Sequence, residues 1–279
     1  MKNLYDELSN DISKSVTNKY STSFSFSSRL LGKETRKAIY AIYGLVRLAD
    51  EIVDSFHGYE QKELLLKLKS DYYDAINKKI SINPILNSFQ KVYHQYNFER
   101  ILVDQFFNSM EMDLDNDKIY NQKLYNQYIH GSAEVVGLMC LKVFTKGNQE
   151  LYSNLKYSAM KLGSAFQKVN FLRDLEYDNN NLGRSYFPNV NFDAITNNQK
   201  NEIIGDIEND FDEALIGLKK LEKDSFLGVY VAYRYYKELL KKIKKTNLQT
   251  LKNDRIRVNN FKKITLVLNS AIKSNLSLL

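Results

Sequence analysis

The stretch ETRKAIYAIYGLVRLADEIVDS, residues 34–55, is apolar around almost its whole circumference. Ala38, Ile39, Ala41, Ile42, Leu45, Val46, Leu48, Ala49, Ile52 and Val53 leave no broad polar side, and this predicts a buried helix. The polar exceptions are Arg47, Asp50 and Asp54, with Tyr43 one turn before them. Positions 43, 47, 50 and 54 are spaced 4, 3 and 4, so they form one stripe. Carboxylates on a buried helix are costly unless they are paired or hold a cation. The stripe therefore implies a polar cavity inside the fold.

A second helix carries the same signature. GSAFQKVNFLRDLEYD, residues 163–178, places Gln167, Asn170, Asp174 and Asp178 on one stripe at spacings of 3, 4 and 4, with Arg173 beside it. Carboxylates one turn apart suit Mg²⁺, a hard ion that prefers oxygen and usually also binds substrate phosphates. Two such helices face to face would clamp a diphosphate, with Asp50 and Asp54 on one side and Asp174 and Asp178 on the other. Arg47 and Arg173 suit the remaining phosphate oxygens, because a guanidinium fork pairs with them bidentately. Metal and arginine together stabilise a departing diphosphate, so a carbon–oxygen bond can ionise. The carbocation left behind must be kept from water, and the 20 Tyr and 15 Phe offer apolar walls whose ring faces attract a cation. Tyr43 and Phe166 neighbour the acidic stripes and are the first candidates.

The rest of the chain reads as helix too. Only two prolines and 11 glycines serve 279 residues, too few for the turns of a strand-rich fold. Helices are expected at roughly 4–19, 34–55, 60–80, 84–96, 99–114, 121–145, 149–178, 195–222, 225–246 and 258–276. No linker or internal repeat divides the sequence, so residues 1–279 are read as one all-α domain. Asn179–Gly183 is a helix stop, and the hydroxyl-rich 21–25 segment is either a flap or a helix start. No signal peptide or membrane-spanning run is present in the sequence, and Cys140 is alone. A cytoplasmic location follows as the expectation. Three scattered histidines with one cysteine exclude a zinc site of familiar spacing, so any metal is held by oxygen. Asp113–Asp117 has the alternating acids of a Ca²⁺ loop, but Lys118 and Leu124 stand where Gly and Glu belong. Asp113 remains a candidate to face the cavity.

These motifs resemble the squalene and phytoene synthases. Residues 47–54 (RLADEIVD) are similar to that family's first acidic motif, and 167–174 (QKVNFLRD) with Asp178 to its second. Gly183–Pro188 (GRSYFP) is similar to its G-R-x-Y-x-P segment, 20–24 (YSTSF) to its flap, and 135–139 (VVGLM) to its middle stretch. Tyr236 and Arg255 sit where the family has a pocket tyrosine and a late arginine. The resemblance runs from about residue 20 to 258. It implies an isoprenoid-synthase helical bundle with a central active-site cavity and a Mg²⁺ cluster on Asp50, Asp54, Asp174 and Asp178, assisted by Asn170, with Mn²⁺ as a substitute. Substrate-binding roles are implied for Arg47, Gln167, Arg173, Arg184, Tyr186, Tyr236, Arg255, Tyr20, Ser23 and Phe24, and catalytic ones for Tyr43 and His130.

Three departures from the family pattern stand out. Tyr20 replaces a frequent histidine, the Asp178-to-Arg184 gap is one residue longer than in some members, and His130 stands where many members have a tyrosine, with Tyr128 two residues earlier. His130 is read either as a hydrogen-bonded cavity histidine or as the catalytic group. The implied reaction condenses two prenyl diphosphates head to head through a cyclopropylcarbinyl diphosphate. The sequence leans toward two geranylgeranyl diphosphates giving phytoene, in carotenoid biosynthesis, without NADPH. The alternatives are dehydrosqualene or squalene synthesis from farnesyl diphosphate, and a non-catalytic scaffold, which retention of all four aspartates disfavours. The excess of 40 basic over 33 acidic residues crowds toward the C-terminus, from Lys237 to Lys263. No nucleic-acid motif accompanies it, and the expectation is peripheral contact with an anionic membrane.

Overall fold

The computed structural model describes residues 1–115, 120–191, 194–259, 265–267 and 270, with Asn180 by its backbone only. Every regular element among them is helical, as the sequence predicts. The helices are α1 (Lys2–Tyr20), α2 (Thr22–Ser28), α3 (Lys33–Ser55), α4 (Gln61–Lys78), α5 (Pro84–Gln95), α6 (Arg100–Met112) and α7 (Gln122–Ile129). A π-helical turn, His130–Glu134, leads into α8 (Val135–Phe144). Then follow α9 (Gln149–Arg173), α10 (Leu175–Asn180), α11 (Asn197–Leu218), α12 (Lys223–Lys245) and the short α13 (Leu248–Leu251).

Local chemistry sets several of these boundaries. Pro84 opens α5 just after Asn83, whose side chain accepts from the Ile85 and Leu86 N–H groups. Thr196 and Gln199 form a reciprocal capping box at the start of α11. The 21–25 segment is a helix start: Ser21 is extended, and its hydroxyl accepts from the Phe24 N–H.

Two expected helices are interrupted. The span 121–145 is broken by the π turn, and 149–178 is broken at Asp174, whose φ/ψ of −103°/12° leaves the helical region. The Asp178 N–H still reaches the Asp174 carbonyl at 2.9 Å, so the two carboxylates remain one turn apart. The helix expected over 258–276, with Lys262 and Lys263, falls mostly outside the described residues, as do Asn116 to Lys118 of the acidic loop.

Two apolar clusters hold the bundle. One packs α3 against α4, α5, α6 and α8 around Tyr72, Phe89 and Phe107; the other joins α7, α9, α11 and α12 around Phe171, Phe211 and Tyr233. The buried expectation for α3 holds, with Ala41, Leu45 and Ala49 wholly enclosed. Between the clusters lies a cavity of about 730 Å³, within the range of small-molecule sites. One wall depends on two glycines. A Cβ on Gly163 would lie 2.5 Å from the Ala133 carbonyl oxygen, and one on Gly137 would lie 2.7 Å from that of Ala159. Only glycine lets the π turn and α8 approach α9 this closely.

Candidate active site

Both acidic stripes face this cavity. From α3 come Tyr43, Arg47, Asp50 and Asp54; from α9, α10 and the turn between them come Gln167, Asn170, Arg173, Asp174 and Asp178. Arg47 donates to Asp50 at 2.5 Å and also pairs with Glu51, while its guanidinium lies 4.4 Å from the centre of the Tyr20 ring. Across the cavity, Arg173 and Arg255 both grip the Asp174 carboxylate. Their Nε atoms lie 2.9 and 2.7 Å from Oδ1. Tyr236 stacks on Phe166 at 4.0 Å and donates to Asn170 at 3.3 Å; Phe24 stacks on Tyr43 at 4.9 Å.

The loop after α10 brings in Arg184. Gly183 has φ +64°, a left-handed conformation suited to glycine, and the turn returns the Arg184 N–H to the Asp178 carbonyl at 2.8 Å. Arg184 then donates to Asp54 at 2.6 Å, to the Val53 carbonyl at 3.0 Å and to the Asp113 carbonyl at 2.8 Å. Tyr186 follows it into the cavity wall. The Nε atoms of Arg47 and Arg184 are buried without a hydrogen-bond partner among the described residues. Each is a donor left over for an incoming oxygen.

Two proposed site residues lie elsewhere. Ser23 is on α2 but does not line the cavity. The face that does carries Phe24, Ser27 and Ser28, and Ser23 is a helical step out of phase with it. His130 is also absent from the lining. Its Nδ1 meets Glu134 at 2.7 Å and its Nε2 meets Gln105 at 3.2 Å, while the π turn presents Ser132 and Ala133 to the cavity. The tyrosine facing the cavity is Tyr128, which donates to Asp113 at 2.6 Å. His130 is thus hydrogen-bonded at both ring nitrogens, as its first reading has it, but stands behind the cavity lining.

The carboxylates are short of positive charge. Burial first, then Asp54, pushes Asp50 up to about 7 against the pull of Arg47. Burial, then Asp174 and Asp54, pushes Asp178 up to about 8. Among the described residues no three acidic, His or Cys side chains converge on one point to hold a metal unaided. What the two walls offer is an all-oxygen donor set, Asp50 and Asp54 facing Asp174 and Asp178, of the kind that Mg²⁺ takes together with waters and phosphates.

A stability prediction follows for the metal-free protein. A carboxyl with a raised folded-state pKa contributes stability below its ordinary value of 3.8, and that contribution is lost as pH rises through the folded value. Asp178→Asn should therefore raise the melting temperature at about pH 9 and flatten the decline from about pH 6, by on the order of 2 kcal/mol. A thermal melt showing wild type equally stable at the higher pH would contradict this electrostatic account.

Comparison with known proteins adds the lineage. The squalene/phytoene synthase family profile matches residues 17–262. A 4,4'-diapophytoene synthase of Staphylococcus haemolyticus is 25% identical over 267 residues, covering 88% of this chain and 90% of its own length. A phytoene synthase of Mycobacterium bovis is 27% identical over 189 residues, covering 66% of this chain and 59% of its own. A crystal structure of a dehydrosqualene synthase in complex with a ligand superposes with a TM-score of 0.84 at 22% identity, over 98% of both chains. The profile spans nearly the whole chain and both acidic stripes, and on that ground this protein belongs to the squalene/phytoene synthase family.

Proposed function

We propose that this protein is a Mg²⁺-dependent prenyltransferase that joins two prenyl diphosphates head to head through a cyclopropylcarbinyl diphosphate. One observation carries the reading: two acidic pairs and four arginines gather in a cavity whose remaining wall is largely apolar and aromatic. Asp50 and Asp54 on one side, and Asp174, Asp178 and Asn170 on the other, would hold the metal. Bound Mg²⁺ neutralises charge on the departing diphosphate. Arg47 and Arg184, each with an uncommitted Nε, bind the same anion, and Arg173 and Arg255 support it from the opposite wall. Gln167 and Tyr20 complete the polar rim. The stacked pairs Phe24–Tyr43 and Phe166–Tyr236 exclude water and turn ring faces to the cation.

For chain length, the reading is two geranylgeranyl diphosphates giving phytoene, without NADPH and with Mn²⁺ able to replace Mg²⁺. Small side chains along the cavity support the longer substrate: Ser28, Ala133 and Ala159 add little bulk to its wall. The second reading, two farnesyl diphosphates, is favoured by the end-to-end match to a diapophytoene synthase. Mass spectrometry of products from purified protein, Mg²⁺ and either diphosphate, with and without NADPH, decides between them. A C40 hydrocarbon from geranylgeranyl diphosphate alone is expected. A C30 product from farnesyl diphosphate moves the assignment to the shorter chain, and no hydrocarbon from folded protein overturns the enzyme reading.

Peripheral contact with an anionic membrane belongs to the same proposal, since the product is wholly apolar. No helix among the described residues is long and apolar enough to cross a membrane. The basic surface is partly self-neutralised: Lys237 pairs with Asp212, Lys244 with Glu208 and Arg255 with Asp174. Exposed Lys241 and Lys245 remain on α12 to meet lipid phosphate.

A further inference from the structure

Lys168 stands inside the second acidic motif and yet does not line the cavity. It shares a stripe of α9 with Lys161 and Ser164, at spacings of 3 and 4, on a side of the helix that faces away from Gly163, Phe166 and Asn170. All three meet one carboxylate on α11. Lys161 donates to Asp210 Oδ1 at 2.7 Å, and Ser164 and Lys168 donate to its Oδ2, each at 2.7 Å. Lys168 also donates to Asp206, one turn earlier on α11, at 2.5 Å. Asp210 is 2% exposed, and Ser164 and Lys168 are buried with it. Burial opposes charge on Asp210, yet the two lysines and the serine hold its carboxyl below the ordinary range.

Beside this network the two helices share an apolar cluster, with Ala165, Val169 and Leu172 from α9 and Ile204, Ile207 and Phe211 from α11. Apolar side chains reward burial without choosing among nearby registers, whereas a buried carboxylate must find its donors at their own positions. Farther along, Ser158 donates to the Glu213 carbonyl at 3.0 Å, so the polar contacts run in antiparallel order down the pair. On the cavity side, Gly163 lies against the Ala133 carbonyl and leaves α9 little room to move sideways. Movement along its axis is what Asp210 opposes. A helix advances about 1.5 Å per residue, so a slip of less than one residue would carry Asn170 and Asp174 by about 1 Å. An error of that size at a reacting centre costs on the order of 100-fold in rate.

We propose that Asp210 is a positioning residue for the head-to-head condensation: by gathering Lys161, Ser164 and Lys168 it fixes the register of α9 on α11, and with it the place from which Asn170 and Asp174 face the carboxylates of α3. The proposal rests on the prenyltransferase reading above. Asp210 acts through α9 and does not line the cavity. Apolar residues of similar size would pack the two helices at least as stably, so the charged network serves geometry.

The test replaces the network by apolar residues in one variant, Lys161→Met/Ser164→Ala/Lys168→Met/Asp210→Leu. Three quantities are measured beside wild type: melting temperature, calorimetric binding of pyrophosphate in Mg²⁺, and steady-state product formation. The quadruple variant should melt at or above wild type. Its affinity for pyrophosphate in Mg²⁺ should fall about tenfold, and its kcat about 10- to 100-fold. A merely structural network would leave both unchanged once stability is kept, so wild-type binding and turnover in the folded variant overturn the proposal. If the quadruple variant does not fold, Asp210→Glu decides. Glutamate keeps the charge and moves the carboxylate out by one methylene, and affinity weaker by about threefold or more is expected. Wild-type affinity there overturns the proposal. Asp206→Asn is the control: its side chain is largely exposed, and binding and turnover should stay within about twofold of wild type. A loss there as large as in the quadruple variant overturns the assignment to Asp210. The two readings fail separately. Wild type that binds pyrophosphate in Mg²⁺ without making hydrocarbon sinks the prenyltransferase reading and leaves the register to be judged on binding. Wild type that makes hydrocarbon, matched by the folded quadruple variant in rate and affinity, sinks the register proposal alone.

Discussion

Replacing Asp50 or Asp174 by asparagine is expected to reduce hydrocarbon formation by about 10³-fold or more while the helical fold persists. Asparagine keeps the shape of the side chain and removes the charge that a divalent cation needs. The loss should fall on kcat. Arg47 lies 2.5 Å from Asp50, and Arg173 and Arg255 both hold Asp174, so each substitution frees cationic donors for the substrate anion and KM should not rise. The two variants should differ in stability. Asp50 carries a raised pKa, and its neutral replacement relieves repulsion from Asp54. Asp174 ties two arginines from distant segments, and losing it should cost about 1–3 kcal/mol. Product analysis with circular dichroism and thermal melts on the same samples checks all three statements. Near-wild-type turnover in both variants would remove the metal-cluster assignment.

The reach of the sequence has a physical boundary. α3 was legible because a helix apolar on every side has no reading except burial, and a polar stripe within it has no reading except a cavity. The second stripe was legible for the same reason, even though its helix breaks at Asp174, because the one-turn spacing survives the break. The π turn was not legible. One extra residue in a helical turn leaves no periodic trace, so 121–145 read as one unbroken α-helix. His130 and Ser23 were candidates through the resemblance alone, and neither lines the cavity. Asp113 was legible as a candidate to face the cavity, and it lines it, but its hydrogen-bond partners were not legible. Its partners lie 15 and 73 residues away, and no local pattern brings them together.

Arg184→Gln is expected to destabilise the protein by about 3–5 kcal/mol, lowering the melting temperature by on the order of 10 °C. The side chain is 6% exposed and joins α3 to the end of α6 through Asp54, the Val53 carbonyl and the Asp113 carbonyl. Removing it leaves the Asp54 carboxylate and the Asp113 carbonyl without this partner, while the Val53 carbonyl keeps the Gln61 Nε2 donor at 3.1 Å. An unpaired charge in a cavity wall costs more than a lost pair contributes. Arg184→Lys keeps the charge but cannot present a planar fork to three acceptors at once, so it should recover only part of the loss. Neutralising the stranded carboxylate should help: Asp54→Asn/Arg184→Gln should melt above the sum of its single effects, with a coupling of about 1–3 kcal/mol. Urea or thermal melts of the four proteins close the cycle. An Arg184→Gln variant melting within about 2 °C of wild type would mean that the loop after α10 is held by the Tyr186–Asp113 contact, with Arg184 left to serve the diphosphate alone.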